Sequence, residues 1–263
     1  ACGPDAASPR FREVWDALFA AQVLVFRGQR FSAAEFVSFG KKFGTPEPHV
    51  IDQFHHPEDP NILILSNVQE NGQPIGLADA GTYFHTDYSY LDVPARATTL
   101  YSIQVPKKGG DTLFADQYTA YDELPSSLKK TIEPLVALHH YGNRDDLDKG
   151  SRTVASVLTG EQEQKMAWVR HRIARRHPVT GRTALYAVSG SSFAIEGMPD
   201  DEARALLDEL KRHATQEKYQ LRLKYGVGDV VVWDNQSLLH SATLTDPADP
   251  RTLWRITLKE EAP

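Results

Sequence analysis

The stretch "GTYFHTDYSY", Gly81–Tyr90, sets a histidine and a carboxylate one residue apart inside an aromatic run. His85 and Asp87 stand at i and i+2. On an extended strand such residues project to one side, with backbones roughly 6–7 Å apart, while Phe84 and Thr86 face the other way. Two readings are open at this point. The stretch is an edge strand with polar residues on its wet face, or it is two thirds of a metal site. A bare HxD triplet does not choose between them.

Outward from this stretch the chain is rich in short strands. "VLVF" (Val23–Phe26) reads as a buried one, and "NILILSNV", "RATTLYSIQV", "GGDTLFAD", "TALYAV", "YQLRLKY", "DVVVWDN" and "TLWRITL" as others. Helices are fewer. Phe11, Val14, Trp15, Leu18 and Phe19 recur at helical spacing, and Ser32 with Glu35 three residues on forms a capping box. "PDDEARALLDELKRHA" (Pro199–Ala214) carries acids at its start and bases at its end, matching the helix dipole. Mainly β with flanking helices is the pattern of a double-sheet sandwich or jelly roll. No alternating βα rhythm, glycine-rich phosphate loop or GxSxG elbow occurs, so Rossmann, P-loop and α/β-hydrolase chemistry are set aside.

Composition narrows the partners. The 263 residues suffice for one large domain, with 41% hydrophobic and 24% charged residues and a net charge of −6. Acidic and basic residues are interspersed, which gives no footprint for nucleic acid or an anionic membrane. No apolar run approaches the ~20 residues of a bilayer span. "ACGPDAASP" lacks the basic start and apolar core of a signal peptide, and the missing initiator Met points to a start upstream or a processed one. Cys2 is the lone cysteine, so no disulfide forms within the chain and a cytoplasmic protein is expected.

An imidazole and a carboxylate suit a divalent transition metal. A second histidine would complete a two-histidine, one-carboxylate facial triad, which leaves positions open on Fe(II). His240, in "WDNQSLLHSATL" just after the apolar strand Val230–Trp233, is the candidate among ten histidines. "FHTD", "GGDTLF", "HPVTGR", "WDN…H" and an arginine eleven residues past that histidine occur in one order. Together these blocks resemble the taurine/2,4-dichlorophenoxyacetate dioxygenase family of Fe(II)- and 2-oxoglutarate-dependent oxygenases, over most of the chain.

The resemblance implies a double-stranded β-helix (jelly roll) and a set of roles. His85, Asp87 and His240 would hold Fe(II). Arg251 and Thr112 would bind the distal carboxylate of 2-oxoglutarate, a planar guanidinium being suited to clamp a carboxylate. Arg255, four residues further and on the same strand face, would meet the anionic end of the substrate. With O2, the reaction would release succinate and CO2 and hydroxylate the substrate. Residues 1–263 would form a single catalytic domain, with a lid insertion around 141–170, and the chain would work as a homodimer or tetramer. Tyr83, Tyr88 and Asn67 are further candidates for substrate contact. Taurine-selective members carry a histidine after the "ILVL" strand and an asparagine before the HxD. Here the stretches read "LILSNVQENG" and "DAGTYF", nearer to the aryloxyalkanoate-type members. A sulfonate, sulfate ester, aryloxy- or other carboxylate is the expected substrate. Two other readings stand beside this one: the same oxygen chemistry ending in desaturation or another oxidation of an amino-acid-like metabolite, and a non-catalytic jelly-roll metal- or ligand-binding protein.

Overall fold

The computed structural model describes residues 9–78, 80–141 and 167–259. The strand Val230–Asp234 is fully buried and organises the larger of two facing sheets. It runs antiparallel to Val23–Phe26 on one side and to Ala95–Gln104 on the other. Thr252–Lys259 follows, then Asp59–Ser66 and the short His55–His56, while Thr45–Pro46 pairs with the far end of Thr252–Lys259. The facing sheet has Thr112–Asp116 at its centre, flanked by Gln220–Leu223 and Leu238–Ala242.

Alternation along the strands sorts side chains into layers. Val231 and Trp233 point inward and join Leu65, Leu100, Phe114 and Leu253 between the sheets. Val230 and Val232 point outward and are covered by the helices Pro9–Ala21 and Ala33–Gly40 through Trp15, Leu18, Phe19 and Phe36. Leu207 and Leu210 of the helix Asp200–Ala214 cover Ala115 and Leu239 on the outer face of the smaller sheet. Ser32 and Glu35 cap the second helix reciprocally, as their spacing predicts. A jelly roll with helices outside is thus what the residue pattern builds. Among the described residues no helix is long and apolar enough to cross a membrane.

One expectation is corrected. The stretch Gly81–Tyr90 is not a strand. It pairs with the smaller sheet at an isolated bridge, where His85 N–H donates to His240 O at 2.9 Å and His240 N–H donates to His85 O at 2.8 Å, and Ala242 N–H donates to Gly81 O at 2.7 Å. The chain then turns through Asp87–Tyr90, with Tyr88 at φ +56°. A turn replaces the strand because the backbone ladder ends there: Thr86 Oγ1 donates to Leu238 O, capping the neighbouring strand's start. The bulk of the expected lid, residues 142–166, lies outside the described residues.

Candidate active site

The bridge and the turn bring three side chains to one point. His85 Nε2 lies 3.6 Å from Asp87 Oδ1, and His240 Nε2 lies 3.6 Å from Asp87 Oδ2. One ligand atom from each residue falls within 4.8 Å of the others. Asp87 and His240 are buried and His85 nearly so. The Nδ1 of His85 bonds the carbonyl of Tyr83 at 2.8 Å, and a carbonyl only accepts, so Nδ1 carries the proton. The other ring nitrogen, Nε2, faces Asp87 Oδ1, and the two can share one cation. His240 Nδ1 is also buried without a hydrogen-bond partner among the described residues. The three residues therefore fit a divalent metal.

Electrostatics agree with that fit. Burial, with His85 alongside, lowers the pKa of His240 to about 3, the direction that favours a ligating ring. Burial acts to protonate Asp87, but His240, Arg255 and His85 together outweigh it and hold the carboxyl well below the usual range. Asp87 is also held in place from behind. Thr98 Oγ1 donates to Oδ2 at 2.6 Å, Asn235 Nδ2 donates to Thr98 Oγ1 at 2.8 Å, and Trp233 Nε1 donates to Asn235 Oδ1 at 3.0 Å. The "WDN" block thus orients a carboxylate far from it in sequence. Two glycines seat His85. A Cβ on Gly81 would lie 2.6 Å from its Cε1, and one on Gly190 would lie 2.9 Å from its Cβ. Both sit at φ +69°, where a side chain is strained as well.

Two cavities meet at this cluster. The first, about 30 Å³, is bounded by Thr112, Arg251, Leu100 and Trp233 on one side and by His85 and His240 on the other. The second, about 40 Å³, lies among His49, Tyr83, Tyr88, Tyr90 and Tyr141, against Asp87. Arg255 borders both. Its Nη1 stands 3.5 Å from Asp87 Oδ1. Burial works against its charge, but Asp87 and the surrounding tyrosines raise its pKa, so the guanidinium stays a cation.

The expected residues divide as follows. His85, Asp87 and His240 come together, and Thr112, Arg251 and Arg255 line the space beside them. Tyr83 and Tyr88 line the second cavity, but the Tyr88 hydroxyl is used on Glu47 O at 3.1 Å, which leaves only its ring for contact. Asn67 is bound elsewhere. Its Oδ1 accepts from Arg251 N–H at 2.8 Å and its Nδ2 donates to Asp249 O at 2.9 Å, so it braces the turn that carries Arg251. Sequence reasoning missed His49, Thr98, Tyr141 and Tyr225, whose hydroxyl lies 2.8 Å from Thr112 Oγ1. None of the four stands in a motif. Only aromatic content hinted at the tyrosines.

Residues 3–257 match the model of the taurine catabolism dioxygenase TauD, TfdA family. The chain belongs to that family. Among its relatives, the 2,4-dichlorophenoxyacetate dioxygenase of Cupriavidus pinatubonensis is 33% identical over 268 residues, covering 97% of this chain and 90% of the relative. Pentalenolactone F synthase of Streptomyces arenae is 31% identical over 260 residues, covering 96% and 87%. The crystal structure of AAD-2 in complex with Mn(II) and N-oxalylglycine superposes with a TM-score of 0.79 at 28% identity, covering all of this chain and 92% of the other. This family member is an Fe(II)- and 2-oxoglutarate-dependent dioxygenase, an oxidoreductase that acts on a small molecule with O2.

Proposed function

We propose that the enzyme hydroxylates a small organic anion held between Arg255 and the tyrosine-lined cavity, with His85, Asp87 and His240 holding the iron. The observation that carries this reading is the place of Arg255, a buried cation at the junction of both cavities and beside the three ligands. When bound, iron and 2-oxoglutarate supply oxidative decarboxylation to succinate and CO2, and with O2 the power to oxidise a C–H bond. The protein's share is binding, orientation and exclusion of water. Arg251 and the Thr112 hydroxyl hold the distal carboxylate of 2-oxoglutarate. Thr98, backed by Asn235, keeps Asp87 facing the two imidazoles. Tyr83, Tyr88, Tyr90 and Tyr141 surround the substrate's apolar body, and aromatic walls favour an aryl or alicyclic one. A relative described as a sulfate ester dioxygenase, 28% identical over 274 residues, and the dichlorophenoxyacetate relative both act on anions, which supports the charge assignment.

Residues 1–263 serve in this reading as one catalytic unit, a cytoplasmic homodimer or tetramer whose state light scattering measures. The test of function is a substrate panel of aryloxyacetates, sulfonates and sulfate esters, each beside its neutral amide or ester, scored by succinate formation. Anions should stimulate succinate release and their neutral partners should not. Equal stimulation by both would overturn the role of Arg255.

A further inference from the structure

A pair of hydroxyls joins two separate spaces. Thr112, the first residue of Thr112–Asp116, is buried and lines the cavity proposed for the cosubstrate. Tyr225 is not part of that wall. It borders an outer cavity of about 280 Å³, and its Oη lies 2.8 Å from Thr112 Oγ1. Whatever Tyr225 does for the inner cavity, it does through Thr112.

The tyrosine is held in place independently of that bond. Leu223 pairs with Thr112 at the end of the ladder between Gln220–Leu223 and Thr112–Asp116, and Tyr225 stands two residues past it. Its ring packs on the core between the sheets, which includes Leu223, Phe114 and Leu253. The turn that follows is tied down as well. Gly226 N–H donates to Asp229 Oδ2 at 2.6 Å, and Gly228 N–H donates to Ser102 O, in the larger sheet, at 2.8 Å. Packing and backbone thus set the phenol against Thr112 without help from a ligand.

Proton counting gives the bond a direction. A threonine hydroxyl has one proton and two lone pairs. Among the described residues Tyr225 is the hydrogen-bond partner of the Thr112 hydroxyl, and either oxygen can donate to the other. A carboxylate only accepts, so one bound beside Thr112 takes the threonine's single proton. The bond to Tyr225 then persists only with the phenol as donor. A phenol is a stronger acid than an aliphatic alcohol and so the better donor of the two. Burial pushes the Tyr225 phenol up to about 12, so its proton is kept near neutral pH. Donation into Thr112 Oγ1 fixes the rotation of that hydroxyl and polarises its O–H toward the anion.

We infer that Tyr225 is a positioning residue for the cosubstrate: its hydroxyl donates to Thr112 Oγ1 and thereby aims the Thr112 proton at the distal carboxylate of 2-oxoglutarate. The inference rests on the proposed role of Thr112 and goes one step further. The threonine's direction is set from outside the cavity, by a residue that does not touch the ligand.

The test is anaerobic titration of the Fe(II)-loaded enzyme with 2-oxoglutarate, read by the visible charge-transfer band. Wild type, Tyr225→Phe, Thr112→Val and the double variant are compared. Tyr225→Phe keeps the ring and its packing. It should weaken 2-oxoglutarate binding about fivefold, roughly the worth of one hydrogen bond, and Thr112→Val about tenfold. The double variant should match Thr112→Val within about twofold, because the phenol acts only through the hydroxyl that valine lacks. In Tyr225→Phe the Fe(II) affinity and the substrate KM should stay within about twofold of wild type, which a general loosening of the sheet would not allow. Unchanged 2-oxoglutarate binding in Tyr225→Phe, losses that multiply in the double variant, or an equal rise in substrate KM would each overturn the inference and leave Thr112 in its role. Unchanged binding in Thr112→Val would remove the threonine from the cosubstrate, and the inference with it. Thr112→Ala takes the place of Thr112→Val in the cycle if the valine variant does not fold.

Discussion

The two cavities that meet at His85, Asp87 and His240 are built differently. The cavity proposed for the cosubstrate stands on sheet. Thr112, Leu100 and Trp233 belong to strands, His240 lies in Leu238–Ala242, and Arg251 immediately precedes Thr252–Lys259. The cavity proposed for the substrate stands on connections. His49, Tyr83, Tyr88 and Tyr90 sit in loops and turns, and Tyr141 follows the strand Val136–His139. Strand positions are fixed by register to the ladder and cannot move one at a time. Loop positions can change while the scaffold stays. In the proposed reading, the sheets carry the metal and cosubstrate chemistry and the loops carry the choice of substrate.

The largest effect that can break this comparison lies on the metal side. His85→Ala, Asp87→Ala and His240→Ala should each lower substrate-dependent succinate release by at least about 100-fold, since each removes a proposed ligand. Full activity in any one would remove that residue from the set. Thr98→Val comes next. It deletes the hydroxyl that donates to Asp87 and leaves Asn235 without its acceptor, and the loss in metal affinity should be roughly 10-fold or more. Unchanged affinity would mean that Asp87 needs no support.

Arg251→Gln should raise the apparent requirement for 2-oxoglutarate about tenfold or more while the substrate requirement stays put. A substrate-only effect would put the clamp on the wrong cavity. On the loop side the effects should be smaller and should divide by hydroxyl. The Tyr141 hydroxyl is buried without a hydrogen-bond partner among the described residues, and Tyr141 borders the cavity proposed for the substrate. Tyr141→Phe should therefore raise the substrate KM several-fold, roughly the worth of one hydrogen bond. Tyr88→Phe removes a hydroxyl already bonded to Glu47 O, so substrate KM should hardly change. Equal effects from both would erase the distinction between a ring that lines and a hydroxyl that binds.

The same division governs what was legible in the sequence. "DVVVWDN" and "TLWRITL" were legible as strands, and the structure puts Val231, Trp233 and Leu253 between the sheets and Arg255 on the cavity wall. Ordered motif blocks brought out His85, Asp87, His240, Thr112 and Arg251. The strand geometry first assigned to His85 and Asp87 was not the reason they converge. A bridge to His240 and a turn achieve it, and a tight turn of this kind has no i, i+2 pattern to read. Contacts between residues far apart in sequence were also invisible. Thr98 on Asp87, Tyr225 on Thr112 and Asn67 on the Arg251 turn depend on which strands become neighbours, and local periodicity carries no such information. His49 illustrates the limit. It is a half-buried loop residue in "PEPHV", with nothing in its surroundings to mark it as facing Tyr88 and Tyr141.

The most direct test of the central claim is anaerobic Fe(II) binding with 2-oxoglutarate present, followed by the visible charge-transfer band. The account predicts one ion per chain with the band in the wild type, and loss of both in Asp87→Ala. An Asp87→Ala protein that binds Fe(II) as tightly and shows the same band would contradict it.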